Sequence, residues 1–190
     1  VYFYQPDQET ISQGQTVFVP QGLVVLGIVT VVGGITAFAR FFDAFVDPAV
    51  ASLSDRCDAK SGRRMPFLKF AALPLAVVTV LVFWSPINGT SWVNAAFLFV
   101  TVIGYYIALT FYCTPYNALI AELGHDSKQQ LTISTAISFT WVAGTAIAYV
   151  APVIWGAFVP MMGRITAIRV TFTIMAAVAF VCSVIMSLCA

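Results

Sequence analysis

The hydrophobic positions of the chain fall into five long runs, separated by short polar breaks. A helix needs about 20 mostly apolar residues to cross a bilayer. The stretches at 22–52, 66–84, 92–121, 131–158 and 166–188 meet or approach that length. No regular period-2 alternation runs through them, so the pattern predicts helices rather than strands. The breaks differ in character. Gln5–Gln21 is polar and holds Pro6 and Pro20. Ser85–Ser91 (SPINGTS) is short, uncharged and turn-forming. Ser54–Met65 and Glu122–Gln130 are charged.

Composition supports the same picture. Of the 190 residues, 60% are hydrophobic and only 9% are charged, whereas a soluble domain carries roughly 25% charged residues to face water. The pattern therefore predicts an all-α integral membrane protein whose outside lies against lipid. A net charge of +1 leaves no basic surface for phosphates, which argues against a nucleic-acid partner. Cys57, Cys113, Cys182 and Cys189 show no metal-binding spacing and read as reduced packing residues. The chain opens on Val1, and Val1 to Tyr4 read as the tail of a further apolar segment. The expectation is a chain that lacks its natural start and is cut within an apolar run near Ala190.

Lys and Arg set the expected orientation. The Ser54–Met65 break carries Arg56, Lys60, Arg63 and Arg64, and the Ser85–Ser91 break carries none. The positive-inside rule puts the first in the cytoplasm and the second outside. Alternation then makes the 122–130 break cytoplasmic, in keeping with Lys128, and leaves Arg164 as an exception outside. Asn88-Gly89-Thr90 fits a glycosylation sequon on the outer side, a signal without meaning in a bacterial protein.

Charges within the apolar runs carry the chemistry. Arg40, Asp43 and Asp47 in the first run are spaced by three and four, which places them on one helical face. A charge at the bilayer centre costs about 2.5–3.5 kcal/mol on insertion scales, so this stripe is expected to face the bundle or a wet cavity. Two carboxylates one turn apart repel. Arg40 can neutralise one, and a proton or a small cation such as Na⁺ can neutralise the other, which is the chemistry of a coupling-ion site. A static ion-pair cluster, or an Asp47 lying at headgroup level, is the competing reading. Pro48 has no N–H for the carbonyl of Ala44, which is freed as a further oxygen.

The third run offers a polar face at Tyr106, Thr110, Cys113 and Asn117, interrupted by Pro115. The fourth offers Ser134, Ser138, Trp141 and Thr145. Each of these reads either as helix packing or as cavity lining. Trp141 is the expected solute contact, because an aromatic face stacks on sugar rings or other apolar ligand faces. Arg169 in the last run is expected to snorkel as an interface anchor. His125, the single histidine, falls in a loop, and no nucleophile or metal set is visible, so an enzyme is not expected.

The stretch Asp43 to Pro66, DAFVDPAVASLSDRCDAKSGRRMP, resembles the signature of the glycoside–pentoside–hexuronide:cation symporters, the melibiose-permease-like branch of the major facilitator superfamily. Pro115 to Leu123, PYNALIAEL, resembles that family's motif at the end of its fourth helix. The resemblance implies an N-terminal helix bundle in which the runs are family helices 2–6, preceded by the tail of helix 1. The twelve-helix family protein would supply a C-terminal half that is absent here. It implies Asp43 and Asp47 as cation-site carboxylates, Thr110 as a hydroxyl beside them and Arg40 as a cavity arginine. It further implies Asp55, Arg56, Gly62, Arg63 and Arg64 as a cytoplasmic loop that helps hold the outward-facing state. Three positions depart from the family. Val46 stands where sodium-using relatives have an asparagine ligand, which favours H⁺ over Na⁺. Cys113 stands where a sugar-binding aspartate would be, and Ala136 where an arginine would be.

Together these readings predict a secondary transporter in the cell membrane. It would symport a small solute, a sugar or glycoside, with H⁺ or Na⁺ by alternating access. Tyr106, Cys113, Asn117, Arg40 and Trp141 would line the cavity, and no cofactor beyond the ion would be needed. A receptor or scaffold without transport, and a symporter of a lipid-like solute, are the alternatives.

Overall fold

A computed structural model describes residues 3–4, 6, 11–12, 15–20, 23–25, 29–56, 65–123 and 126–189. Gly62, Arg63, Arg64, Cys57 and His125 lie outside the described residues. The architecture is a helix bundle of α1 (Val31–Asp55), α2 (Met65–Val82), α3 (Trp92–Leu123), α4 (Ser127–Met162) and α5 (Arg164–Cys189).

The first helix begins at Val31, not at residue 22. Ahead of it, β1 (Leu23–Val25) pairs antiparallel with β2 (Val29–Thr30), with an irregularity in the ladder. Val and Ile dominate Leu23–Val32, and β-branched residues suit a short strand as well as they suit an apolar helix. Thr30 marks the switch. Its backbone is extended, and its side-chain oxygen accepts from the Gly33 N–H at 3.1 Å, capping one of the free donors of the new helix. At the other end of the bundle Asp126 caps α4, accepting from the Ser127 N–H at 2.8 Å. A single residue, Gly163, separates α4 from α5. Its φ of 78° is one that L side chains rarely adopt, which is why glycine sits at this joint.

α3 is the central element. It packs on α1 along one side and α2 along another; α5 packs on α2 and α4, and α4 also touches α3. Three segments within α3, α4 and α5 are long and apolar enough to cross a membrane: Trp92–Ala118, Ser127–Met162 and Arg164–Ile185. α1 carries the Arg40–Asp43–Asp47 stripe, and the 18 residues of α2 would extend about 27 Å at 1.5 Å per residue. Large apolar side chains such as Phe70, Phe139, Tyr149 and Val153 are more than 70% exposed. Such an exterior is costly in water and neutral in lipid. The protein is an integral, multi-pass membrane protein.

The tightest packing lies at the end of the bundle that holds the N-termini of α1 and α3. Phe3, Tyr4, Phe18 and Val19 are buried there with Val31, Val32, Ala95, Leu98 and Ile168. Asn94 is fully buried at the centre of this end. Its Nδ2 lies within hydrogen-bond reach of the carbonyls of Phe18 (3.1 Å), Ile87 (2.9 Å) and Gly89 (2.8 Å). Its Oδ1 accepts from the Ile87 N–H at 3.2 Å. One side chain thereby ties the polar N-terminal segment to the 85–91 turn.

The free carbonyls at the C-terminus of α2 are met by two other elements. The Tyr4 hydroxyl donates to Val82 O at 2.6 Å, and Arg169 Nε of α5 donates to Phe83 O at 3.0 Å. The Arg169 guanidinium also lies over the rings of Trp84 (5.3 Å) and Phe3 (5.9 Å). Arg169 therefore does more than snorkel: it clasps α5 to the end of α2. Hydrogen bonds to charged groups contribute roughly 1.5–3 kcal/mol. Arg169→Ala is accordingly expected to lower the melting temperature in detergent, and Arg169→Lys to recover little of it, because an ammonium lacks the planar fork that stacks on aromatic faces. A melting curve of Arg169→Ala matching that of the parent would refute the clasp.

Candidate cation and solute site

α1 and α3 meet along a polar ladder. The Arg40 guanidinium lies over the Tyr106 ring, 4.9 Å from its centroid. The Thr110 hydroxyl donates to Asp43 Oδ1 at 2.5 Å. The Thr114 hydroxyl donates to Asp47 Oδ1 at 3.0 Å. Partners climb both helices together, so the two helices run parallel. Asp43 and Asp47 are one turn apart, as are Thr110 and Thr114, and parallel axes let both rungs form at once.

The ladder sits around the middle of α1. Asp43 is twelve residues from either end of α1, so it lies about 18 Å from each at 1.5 Å per residue. Thr110 is buried at 4% exposure, Asp43 is half-buried, and Asp47 and Arg40 are exposed. Cys113 on α3, half-buried, lies within electrostatic reach of both carboxylates. α1 stays helical through Pro48.

The sequence expectations meet this geometry unevenly. Arg40, Asp43, Asp47, Tyr106, Thr110 and Cys113 come together on the α1–α3 seam. Arg40, however, neutralises neither carboxylate. It stacks on an aromatic face instead, and among the described residues neither Asp43 nor Asp47 has an ion-pair partner. Asn117 lies further along α3 and is exposed. Trp141 stands apart on α4, 75% exposed, with no ring contact among the described residues. Asp55 and Arg56 are exposed at the C-terminal end of α1. Thr114 was not among the expected residues. Its signal was present: it stands four after Thr110, as Asp47 stands four after Asp43.

The donors on the seam are two carboxylates and two hydroxyls. Among the described residues no group of three or more His, Cys, Asp or Glu is placed to hold a metal ion. An all-oxygen set of this kind suits hard cations rather than soft transition metals. On the opposite face of α3, Tyr105 and Tyr112 line a separate cavity of about 530 Å³ bounded by α2, α4 and α5.

A family model described as MFS/sugar transport protein matches residues 23–190. The chain belongs to this family. Curated relatives agree with the resemblance read from the Asp43–Pro66 motif. A putative glycoside/cation symporter of Escherichia coli (strain K12) is 30% identical over 115 residues, 60% of this chain and 25% of the relative. The isoprimeverose transporter of Lactiplantibacillus pentosus is 28% identical over 124 residues, 65% of this chain and 26% of the relative. A glucuronide carrier protein homolog of E. coli (strain K12) is 26% identical over 127 residues, 63% of this chain and 28% of the relative. The chain thus spans about a quarter of the length of the curated relatives it matches. Membership of an MFS transport family points to a transporter rather than an enzyme. No solved structure matches the chain.

Proposed function

We propose that the protein is the N-terminal part of a secondary transporter that couples the movement of a small solute, a sugar or glycoside, to that of a cation. The observation that carries this reading is the acidic pair in the middle part of α1, facing the hydroxyls of α3. Each carboxylate is held by a hydroxyl, and among the described residues neither has a cationic side chain at ion-pair distance. Asp43 and Asp47 take the coupling ion, H⁺ or Na⁺, with Thr110 beside them. Arg40, Tyr106 and Cys113 border the solute cavity, and Asn117 and Trp141 extend it along α3 and α4. The names of the glycoside, isoprimeverose and glucuronide relatives support the solute class.

In this reading the exposed faces of α1 and α4 meet a second, C-terminal helix bundle, and the cavity opens alternately to the two sides of the cell membrane. The breaks at 54–65 and 122–130 face the cytoplasm. Asp55, Arg56, Gly62, Arg63 and Arg64 stabilise the outward-facing state from that side. Cation binding relieves the repulsion between the carboxylates, and it drives the cycle only to the extent that it binds the two states unequally.

The test is uptake of labelled pentosides, glycosides and uronides by the full-length protein in proteoliposomes under imposed Na⁺, H⁺ or no gradients. Accumulation that follows one cation gradient is expected. Solute binding without flux would instead identify a receptor of the same fold.

A further inference from the structure

The face of α3 turned away from Asp43 and Asp47 holds a second polar feature. Tyr105 and Tyr112, two turns apart and so on one side of the helix, line the cavity of about 530 Å³ bounded by α2, α4 and α5. Thr79 and Ser183 line it as well, but their hydroxyls are already engaged. Thr79 donates to Leu75 O at 2.6 Å and Ser183 to Phe180 O at 2.8 Å, each within its own helix. Tyr105 and Tyr112 make ring contacts, with Tyr106 and Tyr116, and among the described residues neither hydroxyl has a hydrogen-bond partner. Both lie within Trp92–Ala118, a segment long and apolar enough to cross a membrane. Hydrocarbon offers no acceptor, so a hydroxyl there is costly until something supplies one.

The α4 side leaves room for that partner. Gly144 and Ala148 line the cavity from α4, and a side chain added at Gly144 would meet nothing within 4 Å. No neighbour demands a glycine there, in a helix interior where glycine is disfavoured. From α5, Phe172 brings a ring face and Met175 an adaptable thioether. No Asp, Glu, Lys, Arg or His is among the described residues that line the space, so a charged ligand would enter without a counter-ion. A mostly apolar cavity of this size with a few polar groups is the ordinary form of a small-molecule site.

We propose that this cavity binds a neutral ring compound carrying a carbonyl or ether oxygen, drawn from the bilayer, with Tyr105 or Tyr112 donating to that oxygen and Phe172 packing on the ring. Each part of the compound answers a feature of the cavity: rings match the aromatic walls, neutrality matches the lack of charge, and an acceptor oxygen matches donors that have nothing to give to. The site is separate from the α1–α3 seam and does not depend on the coupling ion.

Benzophenone is the probe. It is neutral, has two rings and a single carbonyl oxygen, and under near-ultraviolet light it inserts into neighbouring C–H bonds. The full-length protein in lipid nanodiscs is irradiated at rising probe concentrations, and the adducts are located by mass spectrometry of its peptides. Adducts at Met175 and its neighbours on α5 are expected to saturate, whereas those on outward-facing side chains such as Phe139 and Val153 grow in proportion to the probe. Tyr105→Phe combined with Tyr112→Phe, which removes two oxygens and no packing, is expected to raise the half-saturating concentration about fivefold, the weight of one hydrogen bond. Gly144→Leu is expected to abolish the saturable adducts by filling the space, without lowering the melting temperature.

Labelling that never saturates overturns the site, and so does saturable labelling that either variant leaves unchanged. If Gly144→Leu fails to fold, the double phenylalanine variant decides: half-saturation at the parent concentration overturns the proposal, and a fivefold rise upholds it. Cation coupling is read from uptake and stands or falls apart from these results.

Discussion

Replacing Asp43 with asparagine is expected to abolish solute accumulation while leaving the protein folded in the membrane. A membrane potential acts on each transported elementary charge with about 2.3 kcal/mol per 100 mV. Since about 1.4 kcal/mol is a factor of ten, a neutral solute moving with one cation can be concentrated on the order of 40-fold at that potential. Under the proposed function, Asp43→Asn removes one of the two negative charges that would attract the coupling ion. It keeps a carbonyl oxygen that can still accept from the buried Thr110 hydroxyl, so the seam has no reason to collapse. Accumulation is expected to fall to the equilibrium ratio of about one, with exchange of solute down its own gradient persisting. Asp47→Asn is expected to act in the same direction. Accumulation in Asp43→Asn that still tracks the imposed potential would remove this site from the coupling mechanism.

The second large effect concerns stability. Asn94 is fully buried and bonds three carbonyls and one amide from two different segments. An amide nitrogen has only two hydrogens, so one of the three acceptors shares. Asn94→Ala leaves these backbone groups without that partner, and each buried group so stranded costs roughly 1–3 kcal/mol. The losses overlap, because they share one side chain. A total near 3 kcal/mol is a conservative expectation, corresponding to a fall in melting temperature on the order of 10 °C for a domain of this size. Asn94→Asp is expected to be worse than alanine, since it turns a donor into an acceptor opposite three carbonyls. A thermal melt followed by near-ultraviolet circular dichroism in detergent measures both. An Asn94→Ala protein that melts with the parent would show that the hub is dispensable.

Most of the fold was legible because lipid enforces it. In hydrocarbon, every backbone polar group must be paired within its own segment or barrel, so long apolar runs can become little else than helices. The start of the first run was not legible. The residues Leu23–Thr30 are as apolar as those that follow, and hydropathy does not separate a short ribbon from a helix. The α1 side of the site was legible from the 3.6-residue repeat, which places the three charges on one stripe. The expected burial of that stripe was met only at Asp43, which is half-buried, since Arg40 and Asp47 are exposed.

The α3 side was only half legible. Tyr106 and Thr110 were found by their spacing, but Thr114 follows Cys113 directly and was passed over in favour of the face through Asn117. Which of two adjacent polar residues meets a given aspartate depends on how the two helices cross, and one chain read alone does not carry that angle. The partner of Arg40 was misjudged for a related reason. Opposite charge made a carboxylate the natural choice, whereas the crossing presents the Tyr106 ring instead. Ring faces attract guanidinium groups, and nothing in the composition of α1 announces one.

Gly163 leaves no slack between the two longest apolar helices of the C-terminal portion. With a single residue as hinge, a change of tilt in α4 has no loop in which to dissipate and must appear at the head of α5. Five residues further on, Arg169 grips the end of α2. A lever of this shape ties the most outlying helix of the bundle to the deepest packing at its far end. Inserting a flexible linker at residue 163 would cut that mechanical connection while leaving every helix its full length.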